Sequence, residues 1–280
     1  MGGKLRGGIG LEYLSVFGMP LPQYVALAAR LKCDFVSVNY RGAANSLVGP
    51  AEEPLKDSKS TRRQLATALA DHGMRLELVE GFAIEAGTAV EDYDSDLDVV
   101  AQLGARSLCV VSLDKDRART HAQFARLAEL AAERRLIVTT EVGAGVLRTI
   151  QQAEASWLAV GHPNFKLLID TMHYFRRGGM VNDLESLPPE AIGHVQICDV
   201  PMPAKIESYM DEALFERQCP GDGDLPLADF LRRIPTDTAI GIEAPIRSAY
   251  NELESSLLKC LMRTRQLVGP YLLDQGHSLR

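Results

Sequence analysis

Short apolar runs rich in β-branched residues recur along the chain, and each precedes a longer stretch whose apolar positions fall three and four apart. Eight strands are predicted, at 10–15, 35–40, 75–80, 107–112, 136–141, 167–170, 194–199 and 239–243. Helices are predicted at 21–31, 60–72, 89–103, 117–134, 148–160, 225–234 and 252–268. Gly73, Gly104 and Gly161 follow the last periodic residue of their helices, where a left-handed residue closes the final turn. The segment 200–223 carries several prolines and no clear period.

Strand and helix alternating eight times in 280 residues is the pattern of one α/β domain, a (β/α)8 or TIM barrel. The expected domain is 1–280, with its core at about 10–268, a short leader over 1–10 and a short tail. A doubly wound open sheet is the competing fold. Its Gly-rich phosphate turn is missing, because Phe17-Gly18-Met19-Pro20 follows the first strand.

Composition narrows the function more than the fold. The chain is 46% hydrophobic and 24% charged, as ordinary globular proteins are. Its net charge is -7 with scattered Lys and Arg, so no basic stripe exists to displace counterions from nucleic acid. No run approaches the roughly 20 apolar residues of a membrane span. The five cysteines have no paired metal-binding spacing and read as reduced, buried thiols, giving a cytoplasmic expectation. A small molecule is the expected partner, and a homo-oligomer is compatible with the composition.

The chemistry concentrates in the C-terminal half, where strands five to eight end on Glu141, Asp170, Gln196 and Glu243. All strand C-termini of a parallel barrel open on one face, so these side chains converge although they lie far apart in sequence. Alternation along strand eight turns Gly241 and Ala239 inward with Glu243, leaving space inside, and on strand seven it sets His194 one layer below Gln196. A lone strand-end acid is commonly a helix N-cap. Three crowded carboxylates repel one another unless a cation neutralises them, and an oxygen-rich set suits one divalent ion, Mn2+ or Mg2+, with Co2+ or Zn2+ as substitutes.

Three segments carry a family resemblance: Leu168-Ile-Asp-Thr-Met-His173, His194-Val-Gln-Ile-Cys-Asp199 and Cys219-Pro-Gly-Asp-Gly-Asp-Leu225. From about residue 10 to 268 the sequence resembles the xylose isomerase-like barrels, which include sugar phosphate isomerases and epimerases, inosose dehydratase and 3-dehydroshikimate dehydratases. The resemblance implies that Glu141, Asp170 and Glu243 are metal ligands and that His173 lies near substrate. Many members carry His-x-His on strand seven with the second His on the metal. Here Gln196 stands in that place, so an amide oxygen would replace an imidazole.

In the epimerase branch two glutamates exchange a proton next to a carbonyl, and Glu141 and Glu243 match them. In the dehydratase branch a general acid also helps a hydroxyl or glycosyl group to leave, and His173 is the candidate. Arg217 is expected to reach from its loop over the mouth to the substrate. His194, Tyr40, Arg41 and Arg247 are also expected to bind substrate, and Glu80 has no assignment. The leading reading is a metal-dependent isomerase or epimerase, the alternative is a metal-dependent lyase, and a non-catalytic binding barrel comes third.

Overall fold

Several helices begin and end where their sequence says they should. Ser58, Asp116 and Thr149 cap helix N-termini by accepting from the backbone N–H of Thr61, Arg119 and Gln152. Gly73 and Gly161 end theirs in the left-handed conformation, and Gly104 takes a positive φ just past another. A computed structural model describes residues 6–47 and 52–275. Part of the expected leader and tail therefore lies outside the described residues.

The chain order is β1 (Ile9–Leu11), α1 (Leu21–Arg30), β2 (Phe35–Asn39), α2 (Lys59–His72), β3 (Arg75–Ile84) and α3 (Asp94–Gln102). It continues with β4 (Ser107–Ser112), α4 (Arg117–Ala132), β5 (Ile137–Val142), α5 (Ile150–Val160), β6 (Phe165–Asp170) and α6 (Thr171–Arg176). Then come β7 (Ile192–Ile197), α7 (Tyr209–Phe215), α8 (Leu227–Leu231), β8 (Ala239–Ile242) and α9 (Leu253–Gln275). The strands pair in parallel, each with its neighbours in sequence, and β8 closes on β1 through Ile9–Ile240, Gly10–Gly241 and Leu11–Ile242. The expected barrel is the fold.

Most of the core lies between the sheet and its helices, while Leu78, Cys109 and Leu168 form a separate small cluster. All five cysteines are buried and free. Among the described residues no helix is long and apolar enough to cross a membrane.

Four local departures from the predicted elements shape the mouth. β1 stops at Leu11 and gives way to a 3-10 turn over Tyr13–Val16, rather than running on to residue 15. β3 runs to Ile84, with a register shift between Val79 and Phe82 around Gly81, whose φ is 100°. Such a bulge re-aims the neighbouring side chain, here Glu80. A short α6 follows β6 directly, and the irregular segment after β7 contains α7.

Candidate functional site

A cavity of about 250 Å3 opens at the C-terminal mouth, and Glu80, Glu141, His173, Gln196, Arg217 and Glu243 are among its walls. Asp170 stands behind this wall, fully buried. Register explains the meeting: Asp170 pairs with Gln196, which pairs with Gly241, so the three strand ends are level.

Asp170 has two tasks. Its Oδ1 accepts from the backbone N–H of His173 at 2.8 Å, capping α6, and its Oδ2 accepts from Arg217 Nη1 at 2.5 Å. The N-cap reading of a strand-end acid thus holds for one oxygen of this carboxylate. Arg217 Nη1 also lies 3.0 Å from Glu243 Oε2, and Arg217 Nε donates to the Ala213 carbonyl at 2.8 Å.

Arg217 does not reach over the mouth from a loop, as the sequence suggested. It is 2% exposed and lies at the level of the strand ends. The backbone puts it there: Gln218 and Asp199 exchange N–H···O bonds, and Arg217 N donates to the Pro245 carbonyl. The Asp199 carboxylate then accepts from the N–H groups of Val200, Gly221 and Leu225, fastening the Cys219–Leu225 turn. A Cβ at Gly223 would strike Asp199 Oδ1 and lie 2.6 Å from the Val200 carbonyl oxygen, so only glycine passes there.

His173 enters the site from the first turn of α6. Its Nδ1 is 2.5 Å from the Tyr209 hydroxyl, and its Nε2 is 3.4 Å from Glu141 Oε1 and 3.5 Å from Arg217 Nη2. Burial, and then the neighbouring Arg217 and Arg177, hold its pKa down to about 4 against the pull of Asp170, so it is a neutral imidazole at neutral pH.

The carboxylates divide into one stabilised and several strained. Burial alone would raise Asp170, but Arg217 and His173 bring it to about 2. Burial, then repulsion from Asp170 and Glu80, pushes Glu141 well above the usual carboxylate range. Burial also pushes Glu243 well up, against the pull of Arg217. Glu80 is raised to about 7 by burial and then by Glu12.

Glu12, never weighed from sequence, is fully buried at the end of β1, with Oε1 2.8 Å from His194 Nε2. The room inside strand eight belongs to it, since a Cβ at Gly241 would fall inside its carboxylate. Its signal was present: alternation from inward Gly10, opposite Gly241, turns Glu12 inward too.

Four residues expected at the substrate lie elsewhere. His194 is sealed beneath the cavity against Glu12; burial opposes its charge, yet Glu12 raises its pKa above the ordinary value. Tyr40 is buried, bonded to Asp96 and stacked on Phe82. Arg41 is exposed and donates to the Gly81 carbonyl. Arg247 is exposed over the Phe215 ring and faces Glu216. Glu77 forms ion pairs with Arg75 and Arg106.

The family of xylose isomerase-like TIM barrels matches residues 25–261. The chain belongs to this family. Among solved structures it is similar to an IolI protein described with a bound zinc atom, at 16% identity and a TM-score of 0.77, over 94% of this chain and 99% of that one. It is also similar to a D-allulose 3-epimerase from Methylomonas sp., at 19% identity and a TM-score of 0.68, over 95% and 100% of the two chains. A probable 3-DHS dehydratase, AsbF, from Bacillus anthracis matches at 16% identity and a TM-score of 0.71, over 90% and 97%. These likenesses establish the fold. No curated protein matches the chain.

The mouth is rich in oxygen donors, but among the described residues the acids grouped closely enough for one ion are Glu12, Glu80 and Glu243, and both Asp170 oxygens are taken, by the His173 N–H and by Arg217. Glu141 Oε1 is buried without a hydrogen-bond partner. Gln196 donates from Nε2 to Glu80 Oε1 at 3.0 Å, which leaves its amide oxygen for another partner. Glu12, Glu80, Glu141, Asp170 and Glu243 gather about Arg217 and a histidine drawn toward its charged form, so among the described residues these acids outnumber the cations that pair with them.

Proposed function

We propose that this barrel, read as one domain over 1–280, is a divalent-metal-dependent isomerase or epimerase of a sugar-like substrate. The observation that carries the reading is the pair Glu141 and Glu243, which line one cavity at the mouth. Two carboxylates facing one cavity suit the exchange of a proton at a carbon next to a carbonyl. One glutamate removes that proton and the other returns one to the opposite face. Arg217 fixes the Glu243 carboxylate and His173 faces Glu141, so both bases are held in place.

Glu141, Asp170, Gln196 and Glu243 would hold the ion, which when bound polarises the substrate carbonyl and makes the neighbouring proton acidic. The oxygen-rich set favours Mn2+ or Mg2+, with Co2+ next, and the zinc named for the IolI structure makes Zn2+ an admissible occupant. Elimination, the alternative, takes support from the AsbF likeness. It needs a proton donor, and His173, neutral at neutral pH, is a poor one. The proposed partner is a small molecule, neither nucleic acid nor membrane, and the proposed compartment is the cytoplasm.

Incubation of the Mn2+-loaded protein with a ketose panel in deuterated water tests this. An isomerase returns substrate or product carrying solvent deuterium. An absorbing enone without exchange would replace the reading with elimination, and metal-free purified protein that takes up no Mn2+ would remove it.

A further inference from the structure

A second set of carboxylates lies on the β1–β3 side of the same mouth. Glu12, Glu80 and Glu243 each bring an oxygen within 4.8 Å of the other two. Proximity of acids alone is no site, but Glu12 adds a separate sign. It is fully buried, its Oε1 is taken by His194, and its Oε2 has no hydrogen-bond partner. A buried carboxylate oxygen without a donor is costly, and native proteins rarely leave one.

The surrounding chain is shaped to keep these groups together. Strand eight gives up a side chain at Gly241 for the Glu12 carboxylate, and Gln196 Nε2 holds the Glu80 carboxylate from across the barrel. Neither Glu12 nor Glu80 is one of the four ligands Glu141, Asp170, Gln196 and Glu243 proposed for the first ion.

We propose that Glu12, Glu80 and Glu243 form a second divalent-cation site, with Glu243 bridging it to the first. Oxygen ligands alone suit a hard ion such as Mn2+. Such an ion would supply the buried Glu12 carboxylate with the partner that its Oε2 lacks. The rival is a proton retained among the three carboxyls, which needs no metal.

Equilibrium dialysis of the metal-free chain against Mn2+, read by elemental analysis and low-temperature electron paramagnetic resonance, decides between them. The proposal expects two Mn2+ per chain and the signal of an exchange-coupled pair. Glu12→Gln and Glu80→Gln should each lower the count to one and replace the coupled signal with that of a single ion. One ion in the wild type, removed by Asp170→Asn and kept in Glu12→Gln, overturns the second site and leaves the first. One ion kept in Asp170→Asn but lost in Glu12→Gln sustains the new site and defeats the first. If Glu12→Gln does not fold, the wild-type count and Glu80→Gln still decide.

Discussion

Replacing Arg217 by methionine removes the cation paired with both Asp170 and Glu243 while keeping much of its volume. Arg217 donates to Asp170 at 2.5 Å, lies 3.0 Å from Glu243 and is 2% exposed, and Asp170, fully buried behind the cavity wall, has no water to take its place. Breaking a buried ion pair from one side costs about 3–5 kcal/mol, because the remaining charge is stranded. In a domain of this size that is a fall of about 10 °C in Tm. The pH dependence separates charge from packing. In the wild type Asp170 is held at about 2, below its ordinary 3.8, so its contribution is present above 3.8 and lost as pH falls through about 2. Without Arg217, burial dominates and raises Asp170, and its effect reverses sign: stability is then lost as pH rises. The gap in Tm between metal-free wild type and variant should therefore be widest at neutral pH and narrow in acid, and Mn2+ should recover part of it. Scanning calorimetry across that range measures this. A loss under about 1 kcal/mol at neutral pH, or a gap independent of pH, would refute the charge assignment.

Glu243→Gln should lower isotope exchange by about 10²–10⁴-fold with the fold intact, measured by mass spectrometry of the recovered sugar. Between pH 4.5 and about 7 metal-free wild type should lose stability relative to Glu80→Gln as pH rises, because folded Glu80 binds its proton more tightly than the unfolded chain does, while the opposite contribution of His173 is common to both proteins. Mn2+ should reduce that difference, and identical metal-free slopes in the two proteins would contradict it. Gly223→Ala should cost about 1–3 kcal/mol by driving a methyl group into the Asp199 carboxylate, read from the urea midpoint.

The fold was legible because every strand of a closed parallel barrel is apolar and every connection is helical, so the alternation survives without homologues. Level strand ends follow from the same geometry, which is why Glu141, Asp170, Gln196 and Glu243 are expected together, yet among the described residues the acids whose oxygens come within 4.8 Å of one another are Glu12, Glu80 and Glu243. Glu80 was not readable, because the bulge at Gly81 breaks the alternation that would have aimed it. Arg217 was placed in the right neighbourhood at the wrong depth: its burial depends on the Asp199–Gln218 exchange and the Asp199-fastened turn, contacts between segments with no shared periodicity. Tyr40 and Arg247 follow strand ends as pocket residues would. Yet Tyr40 finds a better apolar partner in Phe82, and Arg247 finds one in Phe215.

Gln196 ties the two halves of the mouth together. An imidazole there would present one nitrogen to the cavity and its other from a fixed ring, whereas the amide offers an acceptor and a two-hydrogen donor from one flexible side chain. The donor side reaches Glu80, a residue from the opposite half of the barrel, and holds its carboxylate beside Glu12 and Glu243. The acceptor side remains a neutral oxygen, so Gln196 keeps one more carboxylate in the ring without adding charge of its own. The amide on strand seven is thus coupled to the acids on strands one and three: by holding Glu80 it keeps three carboxylates within 4.8 Å of one another in a mouth rich in anionic oxygen.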